Sequence, residues 1–258
     1  MTDRPQTGTS KVPEITLTFW IIKIAATTLG ETGGDAVSMT LNLGYAVSTV
    51  IFAALFLVVA AAQIRARSFH PALYWLVIVA TTTVGTTMAD FADRSLGVGY
   101  IGGSSILFVL LMACLGTWCM VCGSVSVNRI DSPRQETFYW ATILFSNTLG
   151  TALGDFLADD GGLGYEGGAL VFGAALLVIG ALYFFTGISR TLLFWAAFIL
   201  TRPLGATLGD TLTKPLADGG LHLGRIVSSL ALAVFIAACV WLLPQRAGTH
   251  PGEPAAAP

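Results

Sequence analysis

The chain predicts an all-α membrane protein of eight transmembrane helices, arranged as four parallel two-helix repeats with pseudo-symmetry. Three observations carry this reading. First, 54% of its 258 residues are hydrophobic and only 11% charged, with mean hydropathy +0.75. A soluble domain carries about 25% charged residues, so this chain could not cover itself in water. Second, eight apolar runs approach the roughly 20 residues needed to cross the hydrocarbon. Third, Trp20, Trp75, Trp140 and Trp195 recur at separations of 55, 65 and 55 residues. Ten residues after each tryptophan stands a glycine (Gly30, Gly85, Gly150, Gly205), and fifteen after each an aspartate (Asp35, Asp90, Asp155, Asp210). Such an ungapped register marks a tandem repeat.

The spans fall near 16–38, 44–64, 71–92, 98–122, 138–158, 165–187, 191–213 and 224–243. Each repeat pairs a Trp-bearing helix, here the W-helix, with a plainer apolar one such as Val47–Ala62 or Leu170–Phe185. The repeats cover about 16–70, 71–130, 136–190 and 191–243, within one membrane domain over 16–243. Extra length around Asn128–Glu136 joins two halves of two repeats each. The runs are too long and continuous for a barrel, whose strands alternate over about 10 residues. An even number of helices per repeat points all repeats the same way, unlike an inverted-repeat transporter.

Residues 1–15 read as a polar tail, with no apolar segment ahead of the first span and so no removable signal peptide. Residues 244–258, rich in Pro, Ala and Gly, read as a disordered tail. Cys114, Cys119, Cys122 and Cys239 all sit inside spans, which argues against a disulfide framework. Within an apolar span the Cys119-x-x-Cys122 pair reads as packing rather than a metal site.

Some function classes drop out. A net charge of −2 offers no basic face to nucleic acid. No Ser/His/Asp set, phosphate-binding loop or HExxH is present, so no enzyme and no cofactor is expected. The partners expected are membrane lipid and a metal cation or proton; the oligomeric state is open.

A polar rail runs along each W-helix, because residues about four apart stack on one face. Counting 3, 7, 11 and 15 from the tryptophan gives Lys23, Thr27, Glu31 and Asp35 in repeat one. It gives Ile78, Thr82, Thr86 and Asp90 in repeat two, and Ile143, Asn147, Thr151 and Asp155 in repeat three. Repeat four has Phe198, Arg202, Ala206 and Asp210. Polar groups in a bilayer face partners or water, so the four rails are expected to turn inward around a common centre. The glycines beside them suit close helix packing, and Gly33-Gly34 and Pro203 are helix weakeners.

Five acids, Glu31, Asp35, Asp90, Asp155 and Asp210, face two bases, Lys23 and Arg202, leaving a formal −3. Carboxylates with neutral oxygens from Thr27, Thr82, Thr86, Asn147 and Thr151 suit a hard cation. Crowded carboxylates also exchange protons readily. Lys23 and Arg202 would tune the charge. Lys23 stands two turns from Glu31, about 12 Å by rise, so Arg202 on another helix is the better partner for that acid. The bland alternative is that each aspartate caps its helix end. The tryptophans fall where aromatic belts anchor helices to the interface and are read as anchors.

The four two-segment repeats with a recurrent tryptophan resemble a family of bacterial membrane proteins defined by a repeat of unknown function. The resemblance covers about residues 16–243 and implies a bacterial inner-membrane protein without implying an activity. Glu31-Thr-Gly-Gly-Asp35 also resembles the Glu-x-Gly-Asp motif of a manganese and calcium exporter family, with one residue more between the acids and in one repeat alone. The expectation is a transporter of a divalent cation, coupled to protons, working through the acidic cluster. The alternative is a non-transporting structural or partner-binding membrane protein whose rails hold the bundle together.

Loop charges set the orientation. Arg4, Lys11, Arg65, Arg67, Arg129, Arg134, Arg190 and Arg246 lie on one side, against Arg94, Lys214 and Arg225 on the other. The bias places both termini and the tryptophan ends in the cytoplasm. Reporter fusions after Arg67, Arg134 and Arg246 should therefore all signal cytoplasm; a periplasmic signal at any one would overturn the topology.

Overall fold

The computed structural model describes residues 10–127, 130 and 132–248. Arg4, Arg129 and the outer parts of both expected tails, 1–9 and 249–258, lie outside the described residues. Eight helices follow one another: α1 (Leu17–Asp35), α2 (Gly44–Arg65), α3 (Pro71–Asp90), α4 (Tyr100–Cys122), α5 (Pro133–Asp155), α6 (Gly164–Phe185), α7 (Arg190–Thr213) and α8 (Arg225–Leu242). Helix α5 starts earlier than its apolar run suggests. Ser132 caps it by accepting from the Gln135 N–H, and Pro133 suits the first turn. Each of α1, α3 and α5 ends at its aspartate and continues in a π-helical turn (Ala36–Thr40, Phe91–Ser95, Phe156–Asp160). Repeat four has instead a 3-10 turn at Leu216–Asp218.

The protein is an all-α membrane protein. Among the described residues six helices are long and apolar enough to cross a bilayer. The other two, α1 and α5, are less apolar but hold equivalent places in the bundle. The W-helices α1, α3, α5 and α7 form a closed ring, each touching the next and α7 returning to α1. The plainer helices stand outside. They are 11–28% buried along their apolar windows against 72% for α3 and α7, which leaves their outer faces for lipid.

The outer helices pack chiefly on a neighbouring repeat and hardly on their own. Helix α2 lies chiefly against α3, α4 against α5, α6 against α7, and α8 against α1. Each repeat is therefore an open unit that hands its outer helix to the next W-helix, and the last hands its own to the first.

The tryptophans are not interfacial anchors. Trp75, Trp140 and Trp195 are buried, and only Trp20 is half-buried. Each is preceded by an aromatic residue that reaches the tryptophan of the next repeat. Phe19 meets Trp75 at 5.5 Å, Tyr74 meets Trp140 at 5.6 Å, Tyr139 meets Trp195 at 6.2 Å, and Phe194 meets Trp20 at 5.9 Å between ring centroids. Aromatic pairs favour these tilted and edge-on arrangements. Burying eight rings against one another removes more apolar area than an interfacial position would.

Halfway along the ring, the glycines set the helix spacing. Gly30 faces Thr82, Gly85 faces Asn147 and Thr148, Gly150 faces Arg202 and Pro203, and Gly205 faces Thr27. In every seam the glycine ten residues past a tryptophan receives the residue seven past the next. A methyl group on Gly30 would come 2.5 Å from Thr82 Cβ and 2.9 Å from its backbone carbonyl carbon. Gly30→Ala should therefore cost about 1–3 kcal/mol by overpacking, read as a lower melting temperature in detergent. Gly173→Ala on α6, where a Cβ meets nothing within 4 Å, should be neutral or stabilising by about 0.5–1 kcal/mol. Equal effects at the two positions would refute this account of the seams.

Candidate ion site

The rails do face the centre, and they stack in layers along the axis. The layer nearest the aromatic ring holds Lys23, Ile78, Ile143 and Phe198, all fully buried. Lys23 Nζ lies 4.1 Å from the centroid of the Phe198 ring and has no hydrogen-bond partner among the described residues.

The next layer is Thr27, Thr82, Asn147 and Arg202, also fully buried. Its members tie neighbouring helices together. The Thr27 hydroxyl shares its proton between the Ile24 carbonyl of its own helix at 2.8 Å and the Thr201 carbonyl across the seam at 3.1 Å, and the Thr82 hydroxyl between the Val79 carbonyl at 2.9 Å and the Ala26 carbonyl across the seam at 3.1 Å. The Asn147 amide donates to Thr81 Oγ1 at 3.0 Å. In a bilayer each hydroxyl needs such an acceptor.

Above them stand Glu31, Thr86, Thr151 and Ala206. Arg202 donates through Nη2 to Glu31 Oε2 at 3.0 Å and to the Thr86 hydroxyl, and Thr86 reaches the same carboxylate oxygen at 3.3 Å. The cross-helix pair expected from the sequence is thus made. Nε and Nη1 of Arg202 find no hydrogen-bond partner among the described residues.

The fourth layer is Asp35, Asp90, Asp155 and Asp210, all buried. They do not stand as bare acids. Arg94, four residues past Asp90, holds Asp90 Oδ1 at 3.0 Å and Asp155 Oδ2 at 3.3 Å. Lys214, four residues past Asp210, holds Asp210 Oδ1 at 3.3 Å and Asp35 Oδ2 at 4.0 Å. Arg225 adds a contact to Asp35 Oδ2 at 3.3 Å. Burial pulls the Lys214 ammonium down, but the carboxylates of Asp210 and Asp35 outweigh it and hold its pKa above the ordinary lysine value.

The loop-charge count treats Arg94, Lys214 and Arg225 as solvated, and that is where sequence reasoning misses them. They bring the formal charge of the column from −3 to zero. The four-residue spacing from aspartate to base in repeats two and four was the available signal. A tyrosine 25 residues past the tryptophan in three repeats (Tyr45, Tyr100, Tyr165) was another. Tyr100 and Tyr165 each donate to Asp159 at 3.2 Å, over the same end of the bundle.

The site has two-fold rather than four-fold character. Arg94 bridges the α3–α5 seam and Lys214 the α7–α1 seam. Glu31 lies below the second bridge, whereas its counterpart below the first is the uncharged Thr151. At the α7–α1 seam, one carboxylate oxygen from each of Glu31, Asp35 and Asp210 lies within 4.8 Å of the others. An ion bound at 2.3–2.6 Å to each ligand, as Ca²⁺ is, spans oxygens up to about 4.6–5.2 Å apart. The three oxygens suit that size; Mg²⁺, at about 2.0–2.1 Å, needs them to close slightly. Asp90 and Asp155 stand at the other bridge and are not part of this group.

A family model described as Repeat of Unknown Function (DUF347) matches residues 18–69, 73–123, 138–189 and 193–246. The chain belongs to this family. Each DUF347 match takes in one W-helix and the outer helix that follows it. No curated relative and no solved structure matches. The DUF347 unit is thus a unit of sequence, whereas the packing unit joins an outer helix to the following W-helix.

Arg202→Ala should cost about 3–5 kcal/mol by stranding the Glu31 carboxylate in the bundle. Adding Glu31→Gln should recover part of that loss. Thermal melting of the two single variants and the double variant measures both. A double variant no more stable than Arg202→Ala would show that the pair is not the source of the loss.

Proposed function

We propose that this protein is a cation transporter of the bacterial inner membrane, with both termini in the cytoplasm, moving a divalent cation in exchange for protons. The convergence of Glu31, Asp35 and Asp210 carries the reading. Three carboxylates from the two helices of one seam come within coordinating distance of a single ion, buried at the end of a polar axis. Such acids in a membrane segment are costly and mark ion pathways. Because Lys214 and Arg225 already neutralise them, an arriving cation has to displace tethered positive charge, and protons balance the rest. Thr27, Thr82, Thr86, Asn147 and Thr151 supply neutral oxygens or seam bonds along the path, and Arg202 holds Glu31 in place until the ion arrives.

A second reading has its own support. Every acid of the column is paired with a base of the same chain, as in a bundle held together by charge, whether or not it serves a partner. Stability and flux separate the two. In proteoliposomes with Mn²⁺ or Ca²⁺ as the probe, Asp35→Asn and Asp210→Asn should abolish flux while melting stays near that of the parent, and Glu31→Gln should abolish it with a loss of stability, because Arg202 then stays buried without its carboxylate. Asp90→Asn and Asp155→Asn should retain flux, because Arg94 clamps them outside the three-carboxylate group. Wild-type flux in the first three variants would sink the transport mechanism. Parallel loss of stability, with no flux in the parent, would favour the structural role.

A further inference from the structure

We propose that the segment from Ser10 to Thr16 is a gate across the tryptophan end of the axis, latched by an ion pair between Lys11 and Glu136. The route of the segment is the first argument. In the ring, α1 and α5 stand on opposite sides, since each packs chiefly on α3 and α7 among the W-helices. Lys11 is fixed at the start of α5. Its Nζ lies 2.5 Å from Glu136 Oε1, and its backbone N–H donates to the Ile130 carbonyl at 3.3 Å. Thr16 is the N-cap of α1. The five residue steps between them reach about 17 Å when extended. The diagonal of a square of helices spaced 8–10 Å apart is about 11–14 Å. The chain therefore crosses the mouth of the ring.

What the segment does there is the second argument. Val12, near its middle, is 3% exposed and belongs to the buried cluster with the aromatic residues of the ring. The far end of the chain clasps the segment from outside. The Glu14 N–H donates to the Arg246 carbonyl at 2.9 Å, and the Gly248 N–H to the Val12 carbonyl at 2.8 Å. Gln245 joins this clasp to the ring by accepting from Trp75 Nε1 at 3.3 Å.

The third argument is how the strap is held. It has no helix of its own and is seated by Val12, the buried Pro13 and the half-buried Ile15. A cleft of about 320 Å³, lined by Pro13, Glu14, Thr16 and Pro244–Arg246, opens beside the clasp. The strap's fixed point is Lys11, which also donates to the Ile64 carbonyl at 3.1 Å while its own carbonyl accepts from Gln63 Nε2 at 3.3 Å. The Glu136 carboxylate accepts from no other group among the described residues. The Lys11–Glu136 pair is thus the one ion pair of the strap among the described residues, and it ties the strap to α5. The gate rests on the transport reading for its purpose, but its test reads access to the axis and not flux.

The test uses the full chain in detergent, with the four native cysteines replaced by alanine and Ile78→Cys introduced. Ile78 is fully buried in the layer just below the aromatic ring. A charged, membrane-impermeant thiosulfonate should label this cysteine slowly. Lys11→Met or Glu136→Gln should raise the rate at least tenfold. The charge swap, Lys11→Glu with Glu136→Lys, should return it to the slow value. Thr137→Cys, exposed at the same end, sets the rate for an open site. Labelling unchanged in the single variants would overturn the proposal, as would a parent labelled as fast as Thr137→Cys. Fast labelling in the swap would show general loosening rather than a latch. If the single variants fail to fold, the swap decides, because it keeps both charges and must protect the axis.

Discussion

The approach of each glycine to the residue seven past the next tryptophan sets the geometry of the bundle. With a side chain at Gly30, Gly85, Gly150 or Gly205, the W-helices would stand further apart. The threonine and asparagine bonds across the seams would then open, and the aromatic ring would lose its contacts. A membrane offers little hydrophobic drive between helices, so close van der Waals approach and seam bonds have to supply it. The repeat contributes one such contact per seam, and closure of the ring makes the four seams support one another.

On this symmetric backbone the charges are placed without four-fold symmetry. Arginine bridges one pair of aspartates and lysine the other. Arginine is a planar fork that suits a fixed bidentate clamp, whereas lysine is a point charge on a flexible stem. Glu31 lies below the lysine bridge and an uncharged threonine below the arginine bridge. Duplication thus provided two equivalent positions, of which one gathers three carboxylates and the other is closed by a clamp. Repeat four also departs most from the pattern, with a 3-10 turn and Arg225 where the other repeats place a π-helical turn and a tyrosine.

Much of this was legible in the chain. The tryptophan register located the repeats, and a count of four along each helix gave the layers, including Arg202 beside Glu31. Polar side chains in an apolar segment must face inward, so direction was forced for them. The outer helices were not legible in the same way. Their surfaces are apolar all round, and nothing in them says whether α2 lies on α1 or α3. The sequence leaves the place of the tryptophans open, because an aromatic residue at a helix end suits an interface and a buried ring equally well. Arg94, Lys214 and Arg225 were counted as loop charges because they lie at or past the helix ends, and only the chain's turn back over the bundle brings them to the aspartates.

The hand-over of each outer helix to the next repeat has a consequence for synthesis. Helix α1 receives its neighbours α7 and α8 only when the end of the chain emerges. Glu31 and Arg202 are 171 residues apart in sequence, so at about 5–20 residues per second the acid waits roughly 10–30 s for its partner. For that interval an acidic helix sits in or beside the membrane with one flank open. The chain must either be held at the insertion machinery or keep α1 against water until the ring closes. Closure of the ring at the α7–α1 seam is consequently the late step of assembly.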